Sequence, residues 1–185
     1  MLFKNNPDRY GWISISLHWM LAAALFSLFA LGVWMVELDY YSNWYHDAPF
    51  IHKSIGVLLV MLMVLRFIWV RLNPKPKPLS KNAKLNYVAG MVHGVLYVLV
   101  FALGISGYLI STAEGQGVSV FDWFNVPAWL QAFEGQADVA GEVHEWLAYG
   151  LMGLVGLHAA AALKHHFVDR DQTLKRMWHP GSDSQ

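Results

Sequence analysis

Four long apolar segments with almost no charged residues constrain the fold of this 185-residue chain more than any other feature of its sequence. They are residues 10–36, 54–70, 85–113 and 146–163, and Arg66 is their only Asp, Glu, Lys or Arg. A bilayer core about 30 Å thick needs about 20 helical residues. We therefore expect an all-α integral membrane protein, folded as a single domain, with spanning helices over about 14–36, 51–72, 86–111 and 143–167. The first segment is too long for the apolar core of a signal peptide, so we expect it to be retained.

The distribution of basic residues predicts how the chain crosses the membrane. With the N-terminus in the cytoplasm, twelve of the thirteen Lys and Arg lie on or near the cytoplasmic side, and only Lys53 lies outside. This is the bias that the positive-inside rule describes. The outer loops are acidic instead, with Glu37, Asp39, Asp47, Glu114, Asp122, Glu134, Asp138, Glu142 and Glu145. We expect both termini in the cytoplasm, including a tail over residues 168–185.

Composition excludes several classes of protein. The chain has no cysteine, which excludes disulfides, iron–sulfur clusters and thiolate metal sites. It has 13 basic and 13 acidic residues, and a chain without net charge gives no reason to expect a nucleic-acid partner. The aromatic outer loop, about residues 112–142, is expected to form short helices on the membrane surface.

Histidines carry the strongest functional signal. Five of the nine lie in or at the ends of the expected helices: His18, His52, His93, His144 and His158. On the fourth helix, fourteen residues separate His144 from His158, which places them on one face and about 21 Å apart along the axis. His52 lies at the depth of His144, and His18 at the depth of His158. Two depth-matched pairs predict two bis-histidine haems inside a helix bundle, whereas zinc requires four ligands at one depth.

Several assignments stay open at this point. His93 also lies at a depth that suits His158, so His18 is the favoured ligand and His93 the alternative; a His93 that is not a ligand could bond a haem propionate or a quinone. Arg66 has no acidic residue at its depth, which indicates either a haem propionate as its partner or an arginine that extends to the cytoplasmic surface. His165 lies at that surface and either contributes to a quinone site or is solvated.

Glycines on three of the helices admit two interpretations. They are Gly56, Gly94, Gly104, Gly107, Gly150, Gly153 and Gly156. Small residues let a planar cofactor approach the backbone, and they also let two helices pack closely. The sequence does not decide between these two.

Four stretches resemble the bacterial cytochrome b561 family: SISLHWM, IHKSIGVLLVMLMVLRFIWVR, VHGVLYVLVFALGISGYLI and VHEWLAYGLMGLVGLHAAAALKHHF. The resemblance runs from about residue 8 to residue 176. It implies a four-helix bundle in the bacterial inner membrane that encloses two haem b groups. Carried over residue by residue, it implies the ligands His18, His52, His144 and His158.

The resemblance also implies an activity. Stand-alone members of the family pass electrons from periplasmic superoxide to ubiquinone without a partner protein. On this interpretation Lys53 attracts superoxide, and a cytoplasmic-side group serves the quinone and the inner haem: Arg66, His93, Arg71, Lys75 and His165. The alternatives are an electron-transfer subunit for a partner dehydrogenase or hydrogenase, a haem or metal-ion transporter, and a structural membrane protein with packed histidines.

Overall fold

Four long helices dominate the computed structural model, which describes residues 3–130 and 133–179. They are α1 (Trp12–Met35), α2 (Asp47–Leu72), α3 (Ala83–Thr112) and α4 (Gln136–Phe167). Each is long and apolar enough to cross a membrane, which confirms the prediction of four such helices. Their apolar side chains are spread around the whole helix circumference, as expected where lipid is the solvent.

All four helices begin earlier than the sequence predicted, and for two of them the difference is a full turn or more. α2 begins at Asp47 rather than near residue 51, and α4 begins at Gln136 rather than near residue 143. Asp47 and Asp138 lie in the first turns of these helices, where a carboxylate interacts favourably with the positive end of the helix dipole. Apolar composition locates the membrane-spanning part of a helix, and the polar first turns extend beyond that part.

The outer loop contains a β-hairpin, so the prediction of short surface helices is wrong for its described residues. Strands β1 (Val118–Val120) and β2 (Phe124–Val126) pair in antiparallel fashion, with Val118 opposite Val126. Val118 and Val120 are buried, which is the alternation expected of a half-buried strand. In the turn, Phe121 and Asp122 have φ values of 48° and 57°, the left-handed conformation that tight hairpin turns require.

A buried serine attaches this hairpin to α2. The Ser54 side chain is fully buried, and its Oγ donates to Ser119 O at 3.4 Å and accepts from Phe121 N–H at 3.1 Å. The rings of Phe50 and Phe121 pack edge to face, with centroids 6.1 Å apart. The hairpin is therefore held against the first two turns of α2, next to His52.

The chain forms two compact units, and each contains part of all four helices. Unit 1 contains the residues up to Leu21, Leu62–Tyr97 and the residues from Leu151 onward, and unit 2 contains Ala22–Met61 and Val98–Gly150. Unit 1 therefore contains His18, His93 and His158. Unit 2 contains His52, His144 and the hairpin.

Within unit 1, hydrogen bonds connect the N-terminal part of the chain, the α2–α3 connection and the tail. Lys77 N–H, in the connection between α2 and α3, donates to Pro7 O at 2.7 Å. Trp19 Nε1–H donates to Met177 O at 2.7 Å, and Arg176 Nη1 donates to Lys77 O at 2.8 Å. The described part of the tail is thus bonded both to α1 and to the α2–α3 connection.

Candidate functional site

Unit 2 brings His52 of α2 and His144 of α4 together. Their ring centroids are 6.2 Å apart, and their ring planes are inclined by 69°. Both side chains are half-buried. This is the first of the two pairs that the sequence placed at a common depth.

Unit 1 brings His18 of α1 and His158 of α4 together with almost the same geometry. The ring centroids are 6.3 Å apart, and the ring planes are inclined by 66°. The two pairs lie in different units and share only α4, yet their separations differ by 0.1 Å. The repeated geometry indicates a repeated chemical role.

Both separations fit an iron ion shared by two imidazoles. A metal–nitrogen bond is about 2 Å and a ring nitrogen lies about 1 Å from its ring centre, so two coaxial imidazole ligands have centroids about 6 Å apart. In the described part of the chain, no group of three or more His, Cys, Asp or Glu could hold a metal ion. The donors thus occur as two pairs, which suits haem iron, because the macrocycle supplies its other ligands.

His93 stands in a different relation to His158. Its ring centroid lies 5.1 Å from that of His158, about 1 Å closer than in the two pairs above. Its Nδ1–H donates to Ala89 O of its own helix at 2.6 Å. The spacing leaves less room for a shared metal ion, so the geometry favours His18 as the partner of His158. The ligand assignment itself stays a prediction.

A glycine faces each histidine of the unit 2 pair. A Cβ atom built on Gly107 of α3 would lie 3.2 Å from His144 Cε1, and one built on Gly32 of α1 would lie 3.2 Å from His52 Cε1. Because glycine has no side chain, the two imidazoles can approach the backbones of α3 and α1 this closely. His52 Nδ1 is buried and has no hydrogen-bond partner in the described part of the chain. The sequence singled out Gly107 and missed Gly32.

Replacing Gly107 by alanine tests this fit. The added methyl group would press on the His144 ring, so Gly107→Ala should lower haem occupancy in unit 2 or alter its visible and EPR spectra. Gly90→Ala is the matched control, because Gly90 lies on the same helix and an added Cβ there meets no atom within 4 Å. Equal spectra for the two variants would contradict the close packing of His144 on α3.

The remaining glycines divide between the two interpretations. An added Cβ on Gly104 would lie 2.5 Å from Val60 Cγ2, so this glycine serves close packing of α3 on α2. Five others have no atom within 4 Å of an added Cβ: Gly56, Gly94, Gly150, Gly153 and Gly156. Close helix packing does not explain these five, and their open surfaces are compatible with a planar cofactor.

Arg66 bonds to neutral groups. Its Nε–H donates to Tyr97 Oη at 3.0 Å, and its Nη1 donates to Ser14 O at 3.4 Å. Ser14 Oγ also accepts from Trp69 Nε1–H at 2.9 Å. No ion pair with Arg66 occurs within residues 3–130 and 133–179, so the anionic partner expected from the sequence stays a prediction. Tyr97 and Ser14 were not anticipated.

His165 bridges two carboxylates at the end of α4. Its Nδ1 lies 3.0 Å from Asp169 Oδ2 and 2.9 Å from Asp171 Oδ2. Burial alone would raise the pKa of the Asp171 carboxyl, but hydrogen bonds from Thr173 and the nearby His165 outweigh it and hold that pKa below its ordinary value. His165 is thus paired with acidic groups rather than simply solvated.

The residues expected near the quinone are not bonded to one another in the described part of the chain. The Arg71 guanidinium lies 4.7 Å from the centre of the Phe67 ring, a cation–π contact. Lys75 is exposed in the α2–α3 connection. Among the described residues, no hydrogen bond or ion pair links Arg66, His93, Arg71, Lys75 and His165 to each other. The structure therefore does not assemble these five into one bonded cluster.

Unit 2 has a strongly acidic sequence. It contains nine acidic residues and one basic residue, Lys53. Lys53 is exposed and lies between His52 and the buried Ser54. Lys53 is thus the one permanently positive side chain of unit 2, and it follows His52 of the unit 2 pair directly in sequence.

Comparisons with known proteins find relatives over almost the whole chain. The family model described as prokaryotic cytochrome b561 matches residues 9–180. An Escherichia coli (strain K12) protein named cytochrome b561 homolog 2 is 52% identical over 178 residues, which cover 96% of this chain and 95% of that protein. A Yersinia pestis protein named probable superoxide oxidase CybB is 32% identical over 181 residues, with 91% and 95% covered. A second Escherichia coli protein, cytochrome b561 homolog 1, is 28% identical over 178 residues, with 92% and 97% covered.

Proposed function

Because this chain belongs to the prokaryotic cytochrome b561 family of membrane electron-transfer proteins, we propose that it is a superoxide:ubiquinone oxidoreductase with two b-type haems in a bacterial inner membrane. Two superoxide ions, one quinone and two protons give two molecules of dioxygen and one quinol. The observation that carries the proposal is the presence of two histidine pairs with matching geometry, one in each unit. The relative named probable superoxide oxidase supports the choice of substrate.

The four histidines would hold the haems, with His52 and His144 on one iron and His18 and His158 on the other. When bound, haem would supply one-electron redox chemistry, which no side chain of a cysteine-free protein offers as readily. The work of the chain is to present the imidazoles at the required spacing and to control what reaches them. The open surfaces at Gly56 and Gly153 would accept the macrocycles.

Lys53 is the proposed attractant for superoxide. One-electron oxidation of superoxide needs no general acid or base, so the protein has only to bring the anion near the His52–His144 pair. An exposed ammonium group in water attracts a unit negative charge by about 1 kcal/mol at 4 Å. The attraction is modest, and its effect is on the rate of encounter rather than on the chemistry.

Reversing the charge of Lys53 should slow haem reduction. Lys53→Glu should lower the rate constant for reduction by superoxide several-fold and weaken its dependence on salt, with the haem content unchanged. Stopped-flow absorbance at increasing ionic strength gives both quantities. Lys84→Glu is the control, because Lys84 is also an exposed lysine near a helix start but belongs to unit 1. Equal slowing by both variants would contradict a local role for Lys53.

The proposed quinone site is on the cytoplasmic side, with unit 1. Arg66, His93, Arg71, Lys75 and His165 all belong to this unit. Arg66 retains donor groups beyond those bonded to Tyr97 and Ser14, and guanidinium and imidazole N–H groups suit the carbonyl oxygens of a quinone. The His165–Asp171 contact offers exchangeable protons at the end of α4. This side would face the cytoplasm, together with both termini.

A second candidate function follows from the charge of unit 2. Its nine acidic residues would repel superoxide at long range and would favour a basic electron-donor protein, such as a dehydrogenase or hydrogenase partner. The relative with 52% identity has a name that specifies no donor. Stopped-flow mixing of the haem-loaded protein with superoxide, with and without ubiquinone, separates the two candidates. Absence of haem reduction by superoxide would favour the partner protein.

A further inference from the structure

Ser106 of α3 contacts both a backbone carbonyl and a histidine of the unit 2 pair. Its Oγ is 3.0 Å from Leu103 O and 3.0 Å from His144 Nδ1. Leu103 O also interacts with the His144 ring, so the three groups form one buried cluster. Ser106 is 5% exposed, so water does not readily replace either contact. A buried hydroxyl in an apolar helix costs free energy unless it has hydrogen-bond partners, and these two contacts supply them.

The proposed haem ligation gives these hydrogen bonds their direction. If His144 holds iron through Nε2, then Nδ1 carries the ring proton and donates to Ser106 Oγ, whose own proton goes to Leu103 O. A metal-bound histidine usually has this arrangement, since its other nitrogen donates to a protein group that sets the tautomer and raises ligand basicity.

His52, the other histidine of the pair, lacks such a partner. Its Nδ1 is buried and unbonded within the described residues. His52 packs against Gly32, where an added Cβ would lie 3.7 Å from Nδ1, and glycine has no side chain that could accept a hydrogen bond from this nitrogen. The hydrogen bond to Ser106 is thus a specific feature of His144 rather than a general feature of the pair.

We propose that Ser106 is a positioning residue that holds His144 as the Nδ1–H tautomer and lowers the reduction potential of the haem bound there. The inference rests on the proposed haem-binding function. A ligand whose Nδ1–H is hydrogen-bonded is a stronger electron donor, which stabilises the oxidised iron. Ser106 therefore sets how readily the unit 2 haem accepts an electron.

The test is a redox titration of the haem-loaded protein with Ser106→Ala. The variant should keep two haems, raise the midpoint potential of one haem by up to about 59 mV, a tenfold change in the one-electron equilibrium constant, and leave the other haem unchanged. Ser106→Thr, which retains the hydroxyl, should restore the wild-type potential. Ser111→Ala is the matched control, because Ser111 Oγ donates to Gly107 O of the same helix at 3.0 Å and contacts no histidine.

Each outcome is decisive. Unchanged potentials in Ser106→Ala, equal shifts of both haems, or the same shift in Ser111→Ala would overturn the role of Ser106. If Ser106→Ala does not fold, Ser106→Cys serves instead, since its thiol is a weaker acceptor and should give a smaller upward shift; no shift would again overturn the proposal. A wild-type protein that binds no haem would instead refute the proposed function.

Discussion

Replacing His144 by alanine should halve the haem content of the purified protein, from two haems per chain to one. The ring centroids of His144 and His52 are 6.2 Å apart, and the loss of either would remove one of the two histidines expected to hold the same haem. The second pair, His18 and His158, lies in the other unit and should keep its haem. Pyridine haemochrome absorbance, divided by protein concentration from amino-acid analysis, measures the ratio.

The pairing predicts which variants resemble each other. His52→Ala should match His144→Ala in its remaining EPR signal, and His18→Ala should match His158→Ala. His46→Ala is the control in unit 2, because His46 packs against the rings of Tyr40 and Tyr45 and has no expected ligand role. Loss of a haem in His93→Ala with retention in His18→Ala would show that the unit 1 pair has been assigned wrongly.

Turnover should depend on the side from which superoxide arrives. In liposomes that contain ubiquinone, superoxide generated on the side of the hairpin should form quinol, and superoxide on the opposite side should form almost none. Lys53, His52 and the hairpin all belong to unit 2, which is the unit proposed to receive the electron. Quinone reduction is measured by its absorbance change. The orientation of the protein in the liposomes is determined from the protease sensitivity of the tail.

A quinone-site inhibitor supplies the control for this experiment. It should stop quinol formation and leave both haems reducible by superoxide, since inhibition would occur after electron entry. Equal quinol formation from both sides would contradict the proposed orientation. Haem that is reduced by a basic donor protein but not by superoxide would replace the stand-alone enzyme with the partner-subunit function.

Long uncharged segments and their histidines predicted much of the architecture. A segment such as residues 85–113, with no charged side chain, has one stable structure in lipid, because only a helix satisfies its own backbone hydrogen bonds there. His144 and His158 are fourteen residues apart, and helix geometry alone places residues with this spacing on one face. Both features depend only on the residues within one helix and on the helical repeat, so the sequence is sufficient to predict them.

The hairpin could not be predicted by the same means. Its turn lacks the Asn-Gly or Asp-Gly pair that identifies most tight hairpins, and Phe121 adopts positive φ without being glycine. Its aromatic residues are equally typical of an interfacial helix. What stabilises the hairpin is the hydrogen bonding of Ser54, 67 residues away from Phe121 in sequence, and local pattern does not include such a contact.

The hydrogen-bond partners of the site residues could not be predicted from the sequence either. Ser106 bonds to His144 and Tyr97 bonds to Arg66, so both depend on which face of α3 meets its neighbours. A helix that is apolar around its whole circumference does not specify that face by its hydrophobic pattern. The same uncertainty left His18 and His93 as alternatives, and although the ring distances favour His18, the choice between them stays a prediction.

The bond between Trp19 and Met177 has a consequence for biosynthesis, since it joins residues 158 positions apart. Ribosomes deliver the chain from its N-terminus at about 5–20 residues per second. Every residue of unit 2 has been translated once Gly150 is made, whereas unit 1 needs His158 and then the tail. The site of His18 and His158 is therefore the last for which all residues become available.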